Sequence, residues 1–279
     1  MHNLLINHAD RHSQSVFLTS SVCRQLREQV HGIIAPDVSV EKYITLAQQY
    51  FTGSTLNQLT GFDQFPCHDI ILGCSQFIDS LLIRYGILGL QILEGDYGYY
   101  QRLDPNIKYA TPGALVPGKP LLISMPFVGS IDTHPMMQEI LDECSQKEIP
   151  VHVDSAWVTS TKDIVFDYSH PAIESFAMSQ SKGMDLGWNR IGLRWSRVPT
   201  PTDSVSIYNQ FQMIPVVNLA IGCRYLEQIQ PDHLWKLYGT LYNTVCRELY
   251  LRPTKSIHVA QSMDRKQNFS LKNILEQAQ

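Results

Sequence analysis

The chain has 279 residues, with 22 lysines and arginines against 26 aspartates and glutamates and a net charge of −4. This length suffices for one or two domains with a large core, and the near-neutral charge without a basic run argues against binding to nucleic acid or anionic lipid. Charged residues make up only 17%, below the roughly 25% typical of soluble domains, so we expect a partner subunit to cover part of the surface.

The N-terminal residues do not have the pattern of a targeting segment. Charged and histidine side chains interrupt the stretch from Met1 to Phe17, which therefore lacks the apolar region of a signal peptide. No apolar run in the chain reaches the roughly 18 residues that a membrane span needs. Six cysteines lie far apart without a Cys-x-x-Cys pair, as expected for thiols in a reducing compartment. We therefore expect a cytoplasmic protein without a membrane segment.

The predicted elements alternate between helices and short buried strands. Helical periodicity covers residues 20–33, 39–51, 75–85, 134–147, 206–229 and 232–250. Apolar runs predict strands at Gln91–Leu93, Leu121–Ser124, Val151–Val153, Ser175–Met178 and Ile191–Trp195. This alternation predicts a three-layer α/β/α fold with a mostly parallel sheet, which binds ligands at the carboxyl ends of its strands.

Two segments at predicted strand ends could hold an anion and a ring nitrogen. Leu72–Asp79 contains a glycine-bearing turn that enters a helix, and the free N–H groups and dipole there attract anions. Cys74 and Ser75 are thus candidates for a phosphate cradle. After the strand Val151–Val153, Asp154 could pair with a protonated ring nitrogen and keep it cationic. Taken alone, each segment also fits an ordinary turn or cap.

The most specific segment surrounds Lys182. This lysine follows a predicted strand among small and apolar neighbours, where desolvation lowers the pKa of an amine and favours its nucleophilic form. Such a lysine can form a Schiff base, while Ser179 and Arg190 clamp a phosphate. Tyr97 follows another predicted strand and could stack on a planar ring, although tyrosines of this kind also pack in cores and interfaces.

In their order and spacing, these segments resemble the pyridoxal-phosphate-dependent aminotransferases of fold type I, classes I and II, over roughly residues 45–200. The resemblance implies pyridoxal 5′-phosphate as the cofactor and Lys182 as the lysine that forms its internal Schiff base. Asp154 then pairs with the pyridine nitrogen, and Tyr97 covers the ring. The resemblance also implies that Cys74, Ser75, Ser179 and Arg190 bind the phosphate.

Three features depart from the family pattern. Where members carry an Asn-Pro-x-Asn-Pro segment, this chain reads Met125–Gly129, and Val128 replaces a donor to the cofactor's phenolic oxygen. Trp157 stands where a second donor, a tyrosine, is expected, so its indole N–H is a candidate cofactor contact. The chain after residue 200 reads as two helices and a tail, so we expect the small domain to be largely missing. The candidates for its carboxylate-binding arginine are Arg194, Arg197, Arg252 and Arg265.

The resemblance divides the chain into an N-terminal helical segment (1–50), a cofactor-binding α/β domain (51–200) and a C-terminal helical segment (201–279), packed as one unit. It also implies a homodimer in which one subunit completes the phosphate site of the other, with Tyr43 and Tyr50 as candidates for that contribution. His8 and His12 have a helical spacing but no third ligand nearby, so no metal site is expected.

Three functions follow as hypotheses. The first is an aminotransferase in which Lys182 anchors the cofactor and then acts as general base. The second keeps the cofactor but performs lyase or decarboxylase chemistry, which the replacements at Val128 and Trp157 favour. The third is a non-catalytic scaffold that retains the fold.

Overall fold

The computed structural model of the protein describes residues 20–30, 38–103, 105 and 107–277. It contains both α-helices and strands, interspersed along the sequence. The helices are α1 (Ser21–Val30), α2 (Val40–Thr52), α3 (Cys74–Tyr85), α4 (Tyr99–Leu103), α5 (Met137–Gln146), α6 (Gln180–Gly183), α7 (Ser204–Gln210), α8 (Val216–Gln228), α9 (His233–Glu248) and α10 (Lys272–Gln277). The strands are β1 (Gln58–Thr60), β2 (Cys67–Ile71), β3 (Leu121–Ser124), β4 (Val151–Asp154), β5 (Val165–Asp167), β6 (Ile173–Ser179), β7 (Gly192–Ser196), β8 (Arg252–Pro253), β9 (Val259–Gln261) and β10 (Asn268–Ser270).

The central sheet has five strands in the order β2-β7-β6-β4-β3. β3, β4 and β6 are parallel, whereas β7 runs antiparallel to both β6 and β2. β2 therefore points in the same direction as the three parallel strands, and the carboxyl ends of these four strands lie at one edge. The predicted α/β class with a mostly parallel sheet is confirmed.

Four of the five predicted strands are strands of this sheet, and Leu121–Ser124 has the predicted bounds. Gln91–Leu93 forms only isolated parallel bridges, from Gln91 to Leu121 and from Leu93 to Ala110. The sequence does not predict β2, because His68 and Asp69 interrupt its apolar pattern. Asp69 lies opposite Arg194 of β7 in the sheet register and forms an ion pair with it, which explains a carboxylate in this strand.

The helix predicted over residues 206–229 is two helices, α7 and α8. Pro215 precedes α8 with a φ of −60°, and a proline has no N–H to continue the backbone ladder of the preceding helix. The helix predicted over residues 20–33 ends at Val30 in the described chain, and residues 31–33 lie outside the described residues.

The C-terminal segment contains more than the predicted two helices and tail. β8, β9 and β10 form a three-stranded antiparallel sheet. This sheet and the neighbouring helices α9 and α10 share a second apolar cluster, which includes Trp235, Tyr242, Ile257 and Leu271. Strands of two or three residues are too short for a period-2 pattern to reveal them. The expectation of a largely missing small domain is therefore not supported by the structure.

The sequence suggests Tyr43 and Tyr50 as candidates to reach a partner subunit, but both side chains are buried in the main core of this chain. Tyr43 Oη donates a hydrogen bond to Gln180 Oε1 at 3.0 Å. A side chain enclosed in its own core cannot complete the site of another subunit, so these two candidates are wrong.

Within the described ranges, no helix has the length and apolar character to span a membrane. The same residues hold no cluster of three or more histidine, cysteine, aspartate or glutamate side chains arranged for a metal ion. His8 and His12, which the sequence singles out, lie outside the described residues. All six cysteines are free thiols.

Candidate active site

A cavity of about 380 Å³ opens at the carboxyl edge of the central sheet. Asp154 ends β4 and Ser179 ends β6, and α6, which carries Lys182, follows β6 directly. All eight residues that the sequence singles out for the site line this cavity: Cys74, Ser75, Tyr97, Asp154, Trp157, Ser179, Lys182 and Arg190. Their roles stay predictions, but the fold brings all of them together.

The turn between β2 and α3 lies against a guanidinium group. Arg190 Nη2 donates to Ser75 Oγ at 2.9 Å, and its Nε donates to the carbonyl of Leu72 at 3.2 Å. Gly73 adopts a φ of +78°, and a Cβ placed on it would lie 2.5 Å from Arg190 Nη2. The N-terminal N–H groups of α3 add a positive potential. Together these groups form a cradle that can bind an anion such as phosphate.

Asp154 contributes a buried carboxyl group to the cavity. Its Oδ1 accepts a hydrogen bond from the backbone N–H of Ala156 at 3.0 Å. Burial raises its pKa to about 6, although that bond, the Cys74 thiol and the charge of Lys182 all act to lower it. A cation next to this carboxyl group would favour its charged form, because the nearby positive charge offsets the loss of hydration.

The Lys182 amine lies in the cavity, 4.9 Å from the centre of the Trp157 ring. Burial lowers its pKa from 10.5 to about 8, and the charge of Arg190 adds to the effect. At neutral pH this amine therefore gives up its proton far more readily than a surface lysine. A primary amine whose pKa is lowered in this way is suited to attack a carbonyl group and to exchange protons.

Two aromatic side chains, Tyr97 and Trp157, line the cavity. Tyr97 stacks on Tyr99 with ring centres 5.8 Å apart. Trp157 meets the ring of His258 edge-on at 5.6 Å, and His258 Nε2 lies 3.2 Å from the carbonyl oxygen of Lys182. The sequence does not point to His258, because it lies 76 positions from Lys182 and no local pattern connects the two.

Nine further residues that line the cavity have no signal in the sequence patterns, apart from Arg102. They are Ile78, Gly98, Arg102, Ser124, Ile131, Ala156, Ser181, Val259 and Asn268. Val259 and Asn268 come from the C-terminal sheet, whose contact with the cavity depends on tertiary structure. Arg102 offers one signal, since it follows shortly after the aromatic run that contains Tyr97. Val128, which the sequence singles out as a departure from the family pattern, also lines the cavity.

No protein-family model matches the sequence, and no curated protein matches it either. Solved structures match the fold. Tyrosine aminotransferase from Leishmania infantum aligns with a TM-score of 0.63 and 13% identity, covering 99% of this chain and 94% of that one. A PLP-bound C–S lyase from Staphylococcus hominis, complexed with L-cycloserine, aligns with a TM-score of 0.59 and 12% identity. The alignment covers 91% of this chain and 75% of that one.

An aspartate aminotransferase tetra mutant from Thermus thermophilus, complexed with tryptophan, aligns with a TM-score of 0.58 and 14% identity over 86% of this chain and 72% of that one. At these identities the similarity establishes the fold alone. The chain therefore has the fold shared by these aminotransferases and by the C–S lyase, and the resemblance predicted from the sequence is confirmed at that level.

We expect the exchange Gly73→Ala to weaken anion binding by about 10- to 100-fold, because the new methyl group displaces the guanidinium of Arg190, and hydrogen bonds to charged groups are worth about 1.5–3 kcal/mol each. Isothermal calorimetry with inorganic phosphate as the titrant measures this change.

Gly118→Ala is the matched control. Gly118 has the same φ of +78°, but a Cβ placed on it would have no other atom within 4 Å. Both exchanges incur backbone strain of about 1–3 kcal/mol, whereas only Gly73→Ala collides with Arg190. Equal phosphate affinity in the two variants would contradict the assignment of this turn as the anion cradle.

Proposed function

We propose that the protein is a pyridoxal 5′-phosphate-dependent enzyme that acts on the amino group of a small molecule, and that its reaction is transamination. The observation that carries this proposal is one cavity that combines an amine with a pKa of about 8, a buried carboxyl group and an arginine–serine cradle. The aminotransferases and the PLP-bound lyase with the same fold support it.

The cavity residues fit this cofactor on chemical grounds. The glycine turn at Gly73 leaves Arg190 in contact with the backbone, as a tight phosphate cradle requires. Asp154 is the one carboxyl group among the described residues that line the cavity, so a single acid is available for a cationic ring nitrogen. The buried Oγ of Ser181 has no hydrogen-bond partner within the described chain, and it lines the same space.

The cradle residues would hold the phosphate group. Arg190 offers a planar guanidinium, whose paired N–H groups suit phosphate oxygens. Ser75 and Ser179 add hydroxyl groups, and the first turn of α3 adds backbone N–H groups directed at the anion. This set would hold one end of the cofactor, because it brings a guanidinium group, hydroxyl groups and backbone N–H groups to one part of the cavity.

Asp154 would hold the ring nitrogen. Without a counter-charge its carboxyl group has a pKa of about 6, because burial penalises the charge. A protonated ring nitrogen beside it lowers that pKa, so that the carboxylate and the cation stabilise each other. The hydrogen bond from the Ala156 N–H orients the carboxylate. Tyr97 and Trp157 would then pack against the ring and exclude water from it.

Lys182 would anchor the cofactor and move protons. When bound, the cofactor supplies an aldehyde that joins to amines and a ring that withdraws electrons. Lys182 Nζ is nucleophilic near neutral pH because burial lowers its pKa to about 8. With a substrate amine bound in the cavity, the same nitrogen would be the group that accepts a proton from the carbon bearing that amine.

Lyase chemistry is the second candidate function, and two residues of the cavity wall favour it. Val128 and Trp157 line the cavity, and they stand at the two sequence positions where the resemblance implies donors to the phenolic oxygen. A valine side chain has no donor, and the indole N–H of a tryptophan is the sole polar atom of that ring. Fewer donors near this oxygen change the electron distribution of the ring, on which the choice between proton transfer and elimination depends.

We also propose that the protein is a homodimer that uses the surface between α7 and α8. Six large apolar side chains are exposed there: Ile207, Tyr208, Phe211, Met213, Val216 and Val217. Such a run of exposed apolar residues is typical of an interaction surface. Asn218 Nδ2 donates to the carbonyl of Arg190 at 3.3 Å, so a partner on this surface would lie beside the anion cradle.

The anchoring role of Lys182 is tested by mixing the protein with pyridoxal phosphate and reducing with borohydride. We expect a new absorption band near the visible edge and a stable adduct on Lys182, found by peptide mass spectrometry. Adduct formation should become faster as the pH rises through the lysine pKa of about 8, because only the neutral amine attacks the aldehyde.

Lys182→Ala should abolish the band and the adduct, whereas Lys162→Ala should change neither. Lys162 is a matched control because its Nζ also lies over an indole ring, 4.5 Å from the centre of Trp235, but outside the cavity. A protein without any adduct would overturn the enzyme proposal and favour the scaffold hypothesis.

Transamination and lyase chemistry are separated by their need for a second substrate. With an amino acid alone, we expect a single turnover that yields one keto acid per subunit and converts the cofactor to its amine form. Addition of a keto acid should restore repeated turnover. Continuous product formation without an added keto acid, measured by chromatography, would favour the lyase reaction instead.

The double exchange Phe211→Asp with Val217→Asp should convert the protein from dimer to monomer, because two buried carboxylates would be unpaired in the proposed interface. Sedimentation velocity measures the change. Ile83→Asp serves as the control, since Ile83 is 75% exposed on α3 and lies outside this run. A wild-type monomer at micromolar concentration, or a dimeric double variant, would exclude this interface.

A further inference from the structure

The helix that carries Lys182 is too short to fix its own position. α6 has four residues, Gln180–Gly183, which form about one helical turn. Isolated helices shorter than about 12 residues are marginal in water, so contacts with other parts of the chain determine where this turn lies. The position of the lysine amine therefore depends on the neighbours of α6.

Gln180 supplies one set of these contacts. Its side chain is completely buried. Its Oε1 accepts a hydrogen bond from Tyr43 Oη at 3.0 Å, and its Nε2 donates to the carbonyl oxygen of Gly222 at 3.1 Å. Tyr43 belongs to α2 and Gly222 to α8, so a single amide joins α6 to two long helices. Loss of either bond would leave a polar group unpaired in the core, which is costly.

Gly222 makes this contact possible. It is buried in the interior of α8, where glycine is less favourable for a helix than alanine. A Cβ placed on it would lie 2.8 Å from Tyr43 Cε2 and 2.9 Å from Gln180 Oε1. The bare backbone at this position therefore gives the Gln180 amide room to reach α8.

The same contacts extend to the segment that carries Arg190. The backbone N–H of Gln180 donates to the carbonyl of Ile191 at 3.2 Å, and a Cβ on Gly222 would also lie 3.2 Å from Ile191 Cγ2. Asn218, one turn before Gly222 on α8, donates to the carbonyl of Arg190 at 3.3 Å. α8 thus contacts both the segment with the lysine and the segment with the arginine.

We propose that Gln180 is a positioning residue, which holds the Lys182 amine in its buried place in the cavity by joining α6 to α2 and α8. This inference rests on the proposed function, since Lys182 is the group that would anchor the cofactor. Gln180 is not among the described residues that line the cavity, so it acts through the backbone of α6. Burial lowers the pKa of Lys182 to about 8, and a looser α6 would expose the amine to water and raise that pKa towards 10.5.

The test leaves every charged neighbour of Lys182 in the sequence, so a change in its pKa reports the position of the amine. Besides burial, two cations lower this pKa and two acidic groups raise it, while a buried imidazole lies beside the backbone of α6. These groups are Arg190 and Lys272, then Asp154 and Cys74, and finally His258, whose own pKa is lowered by burial to about 3.

Competitive labelling of the full chain with acetic anhydride, before any cofactor is added, measures the pKa of Lys182 when the acetylated peptides are quantified by mass spectrometry. We expect a midpoint near pH 8 in the wild type. In Gly222→Ala the midpoint should rise by about one pH unit, because the new methyl group displaces the Gln180 amide. Tyr43→Phe removes one hydrogen bond without adding an atom and should give a smaller rise.

Gly239→Ala is the matched control. Gly239 also lies inside a long helix, α9, but the nearest atom to a Cβ placed on it is Trp235 Cε3 at 3.4 Å, an ordinary contact. Both exchanges raise helix propensity equally, and only Gly222→Ala enters the space of Gln180. The control should keep the wild-type midpoint. Thermal unfolding, recorded for each variant, measures stability separately from the position of the amine.

The outcomes distinguish this role of Gln180 from the proposed function. Wild-type midpoints in folded Gly222→Ala and Tyr43→Phe would show that Gln180 does not position the lysine, whether or not the cofactor binds. A wild-type midpoint near that of a surface lysine would also overturn the role. Higher midpoints in both variants with an unchanged control support it. If the wild type then forms no absorption band with pyridoxal phosphate, the positioning stands and the cofactor assignment fails.

Discussion

The burial of two ionisable groups of opposite charge in one cavity is the constraint on which the rest of this structure depends. Burial is the largest cause that brings the pKa of Lys182 down to about 8 and the pKa of Asp154 up to about 6, so both groups can exchange protons near neutral pH. Charged groups are costly in such a place unless a counter-charge is present. A cofactor that is cationic at one end and anionic at the other would supply counter-charges both for Asp154 and for Arg190.

The sheet topology explains how residues so far apart in sequence reach that cavity. The strands β2, β3, β4 and β6 all end at the same edge, and β7 runs the opposite way, so its amino end lies there too. Arg190 precedes β7 and therefore meets the turn that follows β2. Farther along these strands, Arg194 pairs with Asp69 and with Asp203. Because this buried pairing joins β2, β7 and the start of α7, it keeps the strands that carry the cradle in register.

The sequence is informative where function depends on short segments at strand ends. Lys182 and Asp154 each follow a predicted strand closely, so a local pattern together with one rule about parallel sheets brings them to the same edge. The same reasoning cannot find His258, Arg102 or Asn268, whose contact with the cavity depends on how distant segments pack. Very short strands such as β9 and β10 have too few residues to show a periodic pattern. The break between α7 and α8 is missed because the helical periodicity continues on both sides of Pro215.

The C-terminal sheet closes the site in a way that ties it to Lys182. His258 precedes β9, packs edge-on against Trp157 and has its Nε2 within 3.2 Å of the Lys182 carbonyl. Burial, together with the charge of Lys182, lowers the pKa of His258 to about 3, so its ring stays neutral at physiological pH and can donate an N–H to that carbonyl. A charged imidazole there would repel the protonated amine of Lys182. A neutral imidazole can hold the backbone of α6 by its hydrogen bond without repelling that amine. The position of the lysine thus depends on the packing of the C-terminal sheet, which also contributes Val259 and Asn268 to the cavity.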